Sequence, residues 1–215
     1  MAEPSLPPYG VGDLPGAGKR EAPAAARNIG PIGDVLADWL PEAGTVLEIA
    51  SGTGEHALAY ARRFPGLDWL PTDPDTEAMA SIAAWRDEGP SNLLPPQRID
   101  ATDAAWPVAT ADAILCINMV HISPWDSAVG LVAGAARTLR PSGRLILYGP
   151  WLERGVEPAP SNITFDGWLK ERDPRFGLRE VETFADLASL HGLRLVERRT
   201  MPSNNLMLLF ERAGA

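Results

Sequence analysis

The feature that most constrains this chain is a rhythm. Between Thr45 and Gly149, short apolar runs alternate with runs whose apolar residues recur at helical spacing. TVLEIA reads as a strand and EHALAYARRF as a helix, and LDWLPTD with DTEAMASIAAWRDEG repeats the pair. PQRIDA is a brief third strand and ADAILCINMV a long buried one. SPWDSAVGLVAGAARTLRPSG is a helix with its stop signal, and RLILYG a fifth strand. Such alternation predicts right-handed βαβ units: an α/β fold with a mainly parallel sheet and helices on both faces.

On either side the rhythm breaks. Residues 1–25 are rich in Pro, Gly and Ala without periodicity, which predicts a flexible or draped lead-in to one domain over residues 26–215. IGPIGDVLADWLP then sets Ile32, Val35, Leu36, Trp39 and Leu40 at helical spacing, and Pro41 ends the run. SNITFDGWLKERDPRFG reads as an irregular insertion with one short helix, and TFADLASLHG as a helix. LRLVERRT and NNLMLLFER are two strands linked by MPS. A closing hairpin of this kind must place its last strand antiparallel to the neighbour it enters beside.

Charge and composition remove several functions. The formal charge of −9 lacks the clustered positive field that phosphate neutralisation needs, so no nucleic-acid partner is expected. Arg194, Arg198, Arg199 and Arg212 are offset by nearby acids and read as a solvated face. The single cysteine, Cys116, sits in the apolar run AILCINMV and reads as a small core hydrophobe. His56, His121 and His191 lack the close pairing of metal motifs, so no metal is expected. No window approaches a membrane span, and the N-terminus has no basic-then-apolar signal pattern. A cytoplasmic setting without a membrane partner follows as the expectation.

The glycine turn carries the functional signal. Gly52-Thr53-Gly54-Glu55-His56-Ala57 formally satisfies the dinucleotide fingerprint, in which glycines admit a ligand to the backbone and the next helix offers free N–H groups. The neighbouring acids point elsewhere. Glu48, inside the preceding strand, needs a partner, for which a ligand ammonium group is one candidate, and it would repel a pyrophosphate. Asp73 ends the second strand about 20 residues on, the offset at which an acid accepts from a ribose diol. Asp100, in IDATD, is placed to reach an adenine amino group. Together they suit adenosine joined to a zwitterion.

VLEIASGTG, PTD, IDATD and LRPSGRLILYGP resemble class I S-adenosylmethionine-dependent methyltransferases across residues 45–150. RNIGPI, GEHA, CINMVHISPW, SNITFD, DPRFGLRE and MPSNN extend the resemblance, from about Arg20 to the C-terminus, to the uncharacterised family that includes methyltransferase-like protein 26. The resemblance implies a three-layer Rossmann-like fold with a mainly parallel seven-stranded sheet and an antiparallel C-terminal hairpin. It also implies S-adenosyl-L-methionine as cofactor. Glu48, Gly52 and Gly54 would lie around its methionine part, Asp73 at the ribose hydroxyls, and Asp100 with Ala101 at the adenine. Asn118 would sit beside the sulfonium, while Arg27 and Asn28 would close over the carboxylate. Ala50 stands where the first of three glycines is usual.

Methyl transfer from a sulfonium is an in-line displacement with an activated leaving group, so the protein mainly aligns the acceptor and excludes water. His121, just past the fourth strand, is the candidate general base, with packing beneath the next helix as the competing role. His56 is expected to orient the cofactor loop. Asp166, Trp168, Asn204 and Asn205, outside the common core, are candidates for the acceptor pocket, although an Asn-Asn pair is also plain turn chemistry. The leading expectation is a transferase that methylates a small molecule at oxygen, sulfur or nitrogen. A non-catalytic cofactor-binding partner or sensor protein is the alternative. A nicotinamide-dependent oxidoreductase is permitted by the fingerprint but disfavoured by Glu48, Asp100 and the terminal hairpin.

Overall fold

The computed structural model describes residues 12–13 and 18–214. Its main sheet runs β4 (Leu67–Pro71), β3 (Gly44–Ile49), β5 (Ala111–Ile117), β6 (Leu139–Gly149), β8 (Asn205–Arg212) and β7 (Leu193–Met201). The first four strands are mutually parallel. As expected of the closing hairpin, β8 enters antiparallel, between β6 and β7.

Alternate residues of each strand feed two cores. Val46, Ala113, Leu115 and Ile146 face α1 (Pro23–Trp39) and α2 (Glu55–Arg63), where Ile32, Leu36, Trp39, Ala57 and Tyr60 are buried. Leu47, Ile114, Cys116, Leu145 and Leu147 face α4 (Trp125–Thr138) and α6 (Val181–Leu190), against Leu131, Val132, Ala135, Phe184 and Ala188. A period of two in the strands thus meets a period near 3.6 in the helices, which makes the three layers. Burial pushes the Cys116 thiol up to about 12, so it packs as a hydrophobe.

Two local expectations are corrected. Among the described residues the main sheet has six strands, because the third sequence run makes only one isolated bridge, Gln97 to Thr72, with a second from Leu93 to Trp69 just before it, beside β4. Pro95 and Pro96, between those bridges, have no N–H to donate to a ladder. The insertion after β6 holds a full helix, α5 (Pro160–Arg172), rather than a short one. At the end of the lead-in, β2 (Arg20–Glu21) pairs antiparallel with β1 (Gly12–Asp13), and α1 begins at Pro23. The flexibility expected of the earlier lead-in falls mostly on residues outside those described.

Candidate functional site

The strand order reverses between β3 and β5, with β4 on one side and β6 on the other, and ligands of open α/β sheets bind at such a crevice. The chain leaves β3 there with Ala50, Gly52 and Gly54 at φ 58°, 56° and 92°. Ala50 adopts the left-handed backbone that costs a residue with a Cβ roughly 1–2 kcal/mol. The two glycines serve different ends. A Cβ on Gly52 would meet nothing within 4 Å, so its face of the turn is open. A Cβ on Gly54 would lie 2.8 Å from Ile82 Cα, so that glycine lets α2 and α3 (Thr76–Arg86) approach.

Two buried acids brace the turn. Asp73 Oδ2 accepts from Gly52 N–H at 2.9 Å and its Oδ1 from Asp75 N–H at 3.0 Å. Burial raises the Asp73 pKa, and those two amide bonds oppose the shift. The glycine turn and Asp73 are therefore in contact. Glu48 finds its partner inside the protein: Trp69 Nε1 donates to Glu48 Oε2 at 2.6 Å. Burial still pushes this carboxyl up to about 7.

Residues 19–28 lie over the turn. Ala22 N–H and Thr53 Oγ1 both donate to Glu55 Oε2, at 2.7 and 2.8 Å. Arg20 N–H donates to Ser81 Oγ, which donates to the Thr53 carbonyl. Asn28 Oδ1 accepts from His56 Nε2 at 2.7 Å, with both side chains buried. Burial pulls His56 down to about 4, so the ring stays neutral and orients by hydrogen bonding. Arg27 is exposed on α1. Thr53, Glu55 and Ser81 were not singled out from sequence; each is an ordinary hydroxyl or acid with a partner 28 or more residues away in the chain.

On the other flank, Asp100 Oδ1 accepts from the Thr102 amide and hydroxyl, which holds its pKa below the usual carboxylate range. Ala101 is buried beneath α4, where a Cβ on Gly130 would strike its carbonyl oxygen at 2.3 Å. Asn118 closes β5 at φ 62°, its amide bonded to the Tyr148 carbonyl. Among the described residues no cluster of His, Cys, Asp and Glu could hold a metal ion, and no helix is long and apolar enough to cross a membrane.

His121 is not an exposed base. Its ring is 1% exposed, and Nδ1 accepts from the Arg179 amide at 3.3 Å. The proton of the neutral ring therefore sits on Nε2. Burial, then the Arg179 charge, pulls the imidazole down to about 3, against an opposing pull from Asp166. The ring meets Trp151 edge-on at 4.6 Å. Arg179, another residue sequence did not single out, donates its guanidinium to the Val120, Ser123 and Arg175 carbonyls.

Of the residues expected to line an acceptor pocket, Asp166, Trp168 and Asn204 make contacts of α5, and Asn205 does not. Asp166 accepts from Leu178 N–H and pairs with Lys170. Trp168 stacks on Phe165 at 5.8 Å, with Arg172 over its ring. Asn204 donates to Ser161 Oγ and accepts from Asn162 through its carbonyl. Asn205 donates to the Pro202 and Ser203 carbonyls and shapes the hairpin link, where Ser203 and Asn204 are left-handed. The turn reading of the Asn-Asn pair describes that geometry.

Comparison with known proteins agrees with this fold. A family model described as "Protein of unknown function (DUF938)" matches residues 19–212. A tRNA (guanine-N(7)-)-methyltransferase of Rhodopseudomonas palustris (strain BisB5) is 30% identical over 162 residues, 66% of this chain and 60% of that protein. The chain thus spans about 60% of the length of the curated relatives it matches. CalO1, a methyltransferase of calicheamicin biosynthesis solved with SAH bound, superimposes with a TM-score of 0.71 at 19% identity, over 88% of this chain and 54% of that one. Human N-acetylserotonin methyltransferase in complex with SAM gives 0.72 at 16% identity, over 89% and 53%. The fold is that of the class I S-adenosylmethionine-dependent methyltransferases.

Proposed function

The chain belongs to the family described as protein of unknown function DUF938, and from the geometry of its site we propose that it is an S-adenosylmethionine-dependent methyltransferase acting on a small molecule. One observation carries the reading. The open, left-handed Gly52 has its N–H fixed by the Asp73 carboxylate at the crevice where the strand order reverses. The residues fit the cofactor by their chemistry. Asp73 has accepting positions beyond the two its amide bonds use, and a ribose diol supplies donors. Asp100 is the acceptor for the adenine amino group, beside buried Ala101. Gly52 leaves the space an amino-acid moiety needs, Asn118 borders the methyl donor, and Arg27 and Asn28 cover the carboxylate. Glu48 supports the turn through Trp69 rather than pairing with the ligand.

The cofactor supplies an activated methyl group; the chain's own residues hold the acceptor in line and keep water out. His121, neutral and held by the Arg179 amide, positions rather than accepts a proton. Acceptors that arrive already nucleophilic, as a phenolate, thiolate or free amine, suit such a site. The −9 charge supports a small molecule, whereas the name carried by the curated relatives favours tRNA as a second reading. Incubation with tritiated-methyl S-adenosylmethionine and either a metabolite extract or bulk tRNA separates the two. Label in the small-molecule fraction alone is expected. Label in tRNA alone would overturn the acceptor assignment, and label in neither would leave the non-catalytic binding protein as the better reading.

A further inference from the structure

Two buried N–H groups at the ends of the central strands have no hydrogen-bond partner among the described residues: His121 Nε2 and Trp151 Nε1. Leaving a buried donor unmade costs about 1–3 kcal/mol, so a neighbouring pair of them calls for an explanation. Both belong to rings in mutual contact at 4.6 Å. An indole N–H only donates, and His121 Nε2 must donate because Nδ1 takes the Arg179 amide. The place is also the right one. A Cβ on Gly149 would fall 2.4 Å from His121 Nε2 and 3.6 Å from Asn118 Oδ1, so glycine there keeps a side chain out from between the imidazole and the residue at the end of β5.

We propose that His121 Nε2–H and Trp151 Nε1–H form a donor pair that binds a carboxylate of the methyl acceptor. This rests on the methyltransferase reading and deepens it. A carboxylate presents two acceptor oxygens and no donor. Each oxygen would take one of the two N–H groups, at the usual hydrogen-bond length of about 2.9 Å. The Arg179 guanidinium, bonded to Val120 O and Ser123 O on the same loop, adds a positive field that favours an anion over a neutral carbonyl or an amine. Ligand entry requires the loop carrying Gly177 and Arg179, bonded to the His121 carbonyl and ring, to loosen from it.

The probe is acetate, titrated into 15N-labelled protein saturated with S-adenosylhomocysteine, with methylammonium as the cation control. The expected result is a saturable downfield shift of the Trp151 indole proton and of the His121 Nε2 proton with acetate, and none with methylammonium. Trp151→Phe assigns the first signal; selective histidine labelling reads the second even if that variant does not fold. Absence of any acetate shift at either proton, or an equal shift with methylammonium, would overturn the donor pair. Because S-adenosylhomocysteine binding is measured separately, either failure leaves the methyltransferase reading standing.

Discussion

Trp69 Nε1 donates a 2.6 Å hydrogen bond to the buried carboxylate of Glu48, the residue of β3 that stands two positions before the left-handed Ala50. Trp69 is itself packed against Tyr60 and Phe64 of the neighbouring helix end, so the bond ties two strands and α2 to the base of the glycine turn. It gives a charged-capable group a fixed place at the cost of holding it in the core.

That cost sets a pH dependence. Glu48 keeps its proton to about 7 in the folded protein and to about 4.5 when unfolded. Its contribution is therefore fully present below about 4.5 and is lost as pH rises from there to about 7, a change on the order of 3 kcal/mol. Glu48→Gln keeps an oxygen to accept from Trp69, and the fall between those pH values is expected to flatten in urea unfolding. An unchanged slope would show that the carboxyl ionises in the fold as freely as in the unfolded chain.

Gly52 and Gly54 separate ligand access from packing. Gly54→Ala drives a Cβ toward Ile82 Cα at φ 92°, and a loss of about 1–3 kcal/mol of stability is expected. Gly52→Ala meets open space and carries only left-handed strain of about 1–2 kcal/mol, yet it places a methyl where the cofactor should lie. Thermal melts with S-adenosylhomocysteine titrations should show the first variant weakened in fold and the second in binding. Equal affinity in Gly52→Ala and the unaltered protein would remove the turn from the site.

Asp73→Ala should weaken S-adenosylhomocysteine binding by at least about tenfold, roughly 1.4 kcal/mol. The change removes both the proposed ribose acceptor and the bond that orients Gly52. Calorimetry showing unchanged affinity would exclude Asp73 from the cofactor contacts.

His121 should not titrate near neutrality. Its ring is held neutral down to about 3, so its nitrogen shifts should stay in the pattern of an Nε2-protonated imidazole from about pH 5 to 8. A transition near 6.5 in selectively labelled protein would restore it as a candidate base.

How much of this was readable beforehand depends on whether a residue acts locally. The order of strands and helices and the antiparallel closing strand follow from periodicity and spacing, which are local. The edge run before Asp100 looks like a strand by its apolar residues, but Pro95 and Pro96 deprive it of donors. α5 reads as irregular because its apolar residues form no strong stripe; only Asn162, Phe165 and Leu169 are buried. The sequence leaves the partner of Glu48 open because the indole that bonds it is 21 residues away on another strand. The strap of residues 19–28 and the loop around Arg179 depend on tertiary contacts that no local pattern encodes. Their only trace in the sequence was membership of the motifs RNIGPI and DPRFGLRE.

The central claim is that the glycine turn, braced by Asp73, holds S-adenosylmethionine. Calorimetric titration of the protein with S-adenosylhomocysteine, with NADH run alongside, tests it most directly. Saturable one-to-one binding of S-adenosylhomocysteine is expected, on the order of micromolar or about −8 kcal/mol, with no heat from NADH. Binding of NADH alone, or of neither ligand to protein whose circular dichroism shows an intact fold, would contradict it.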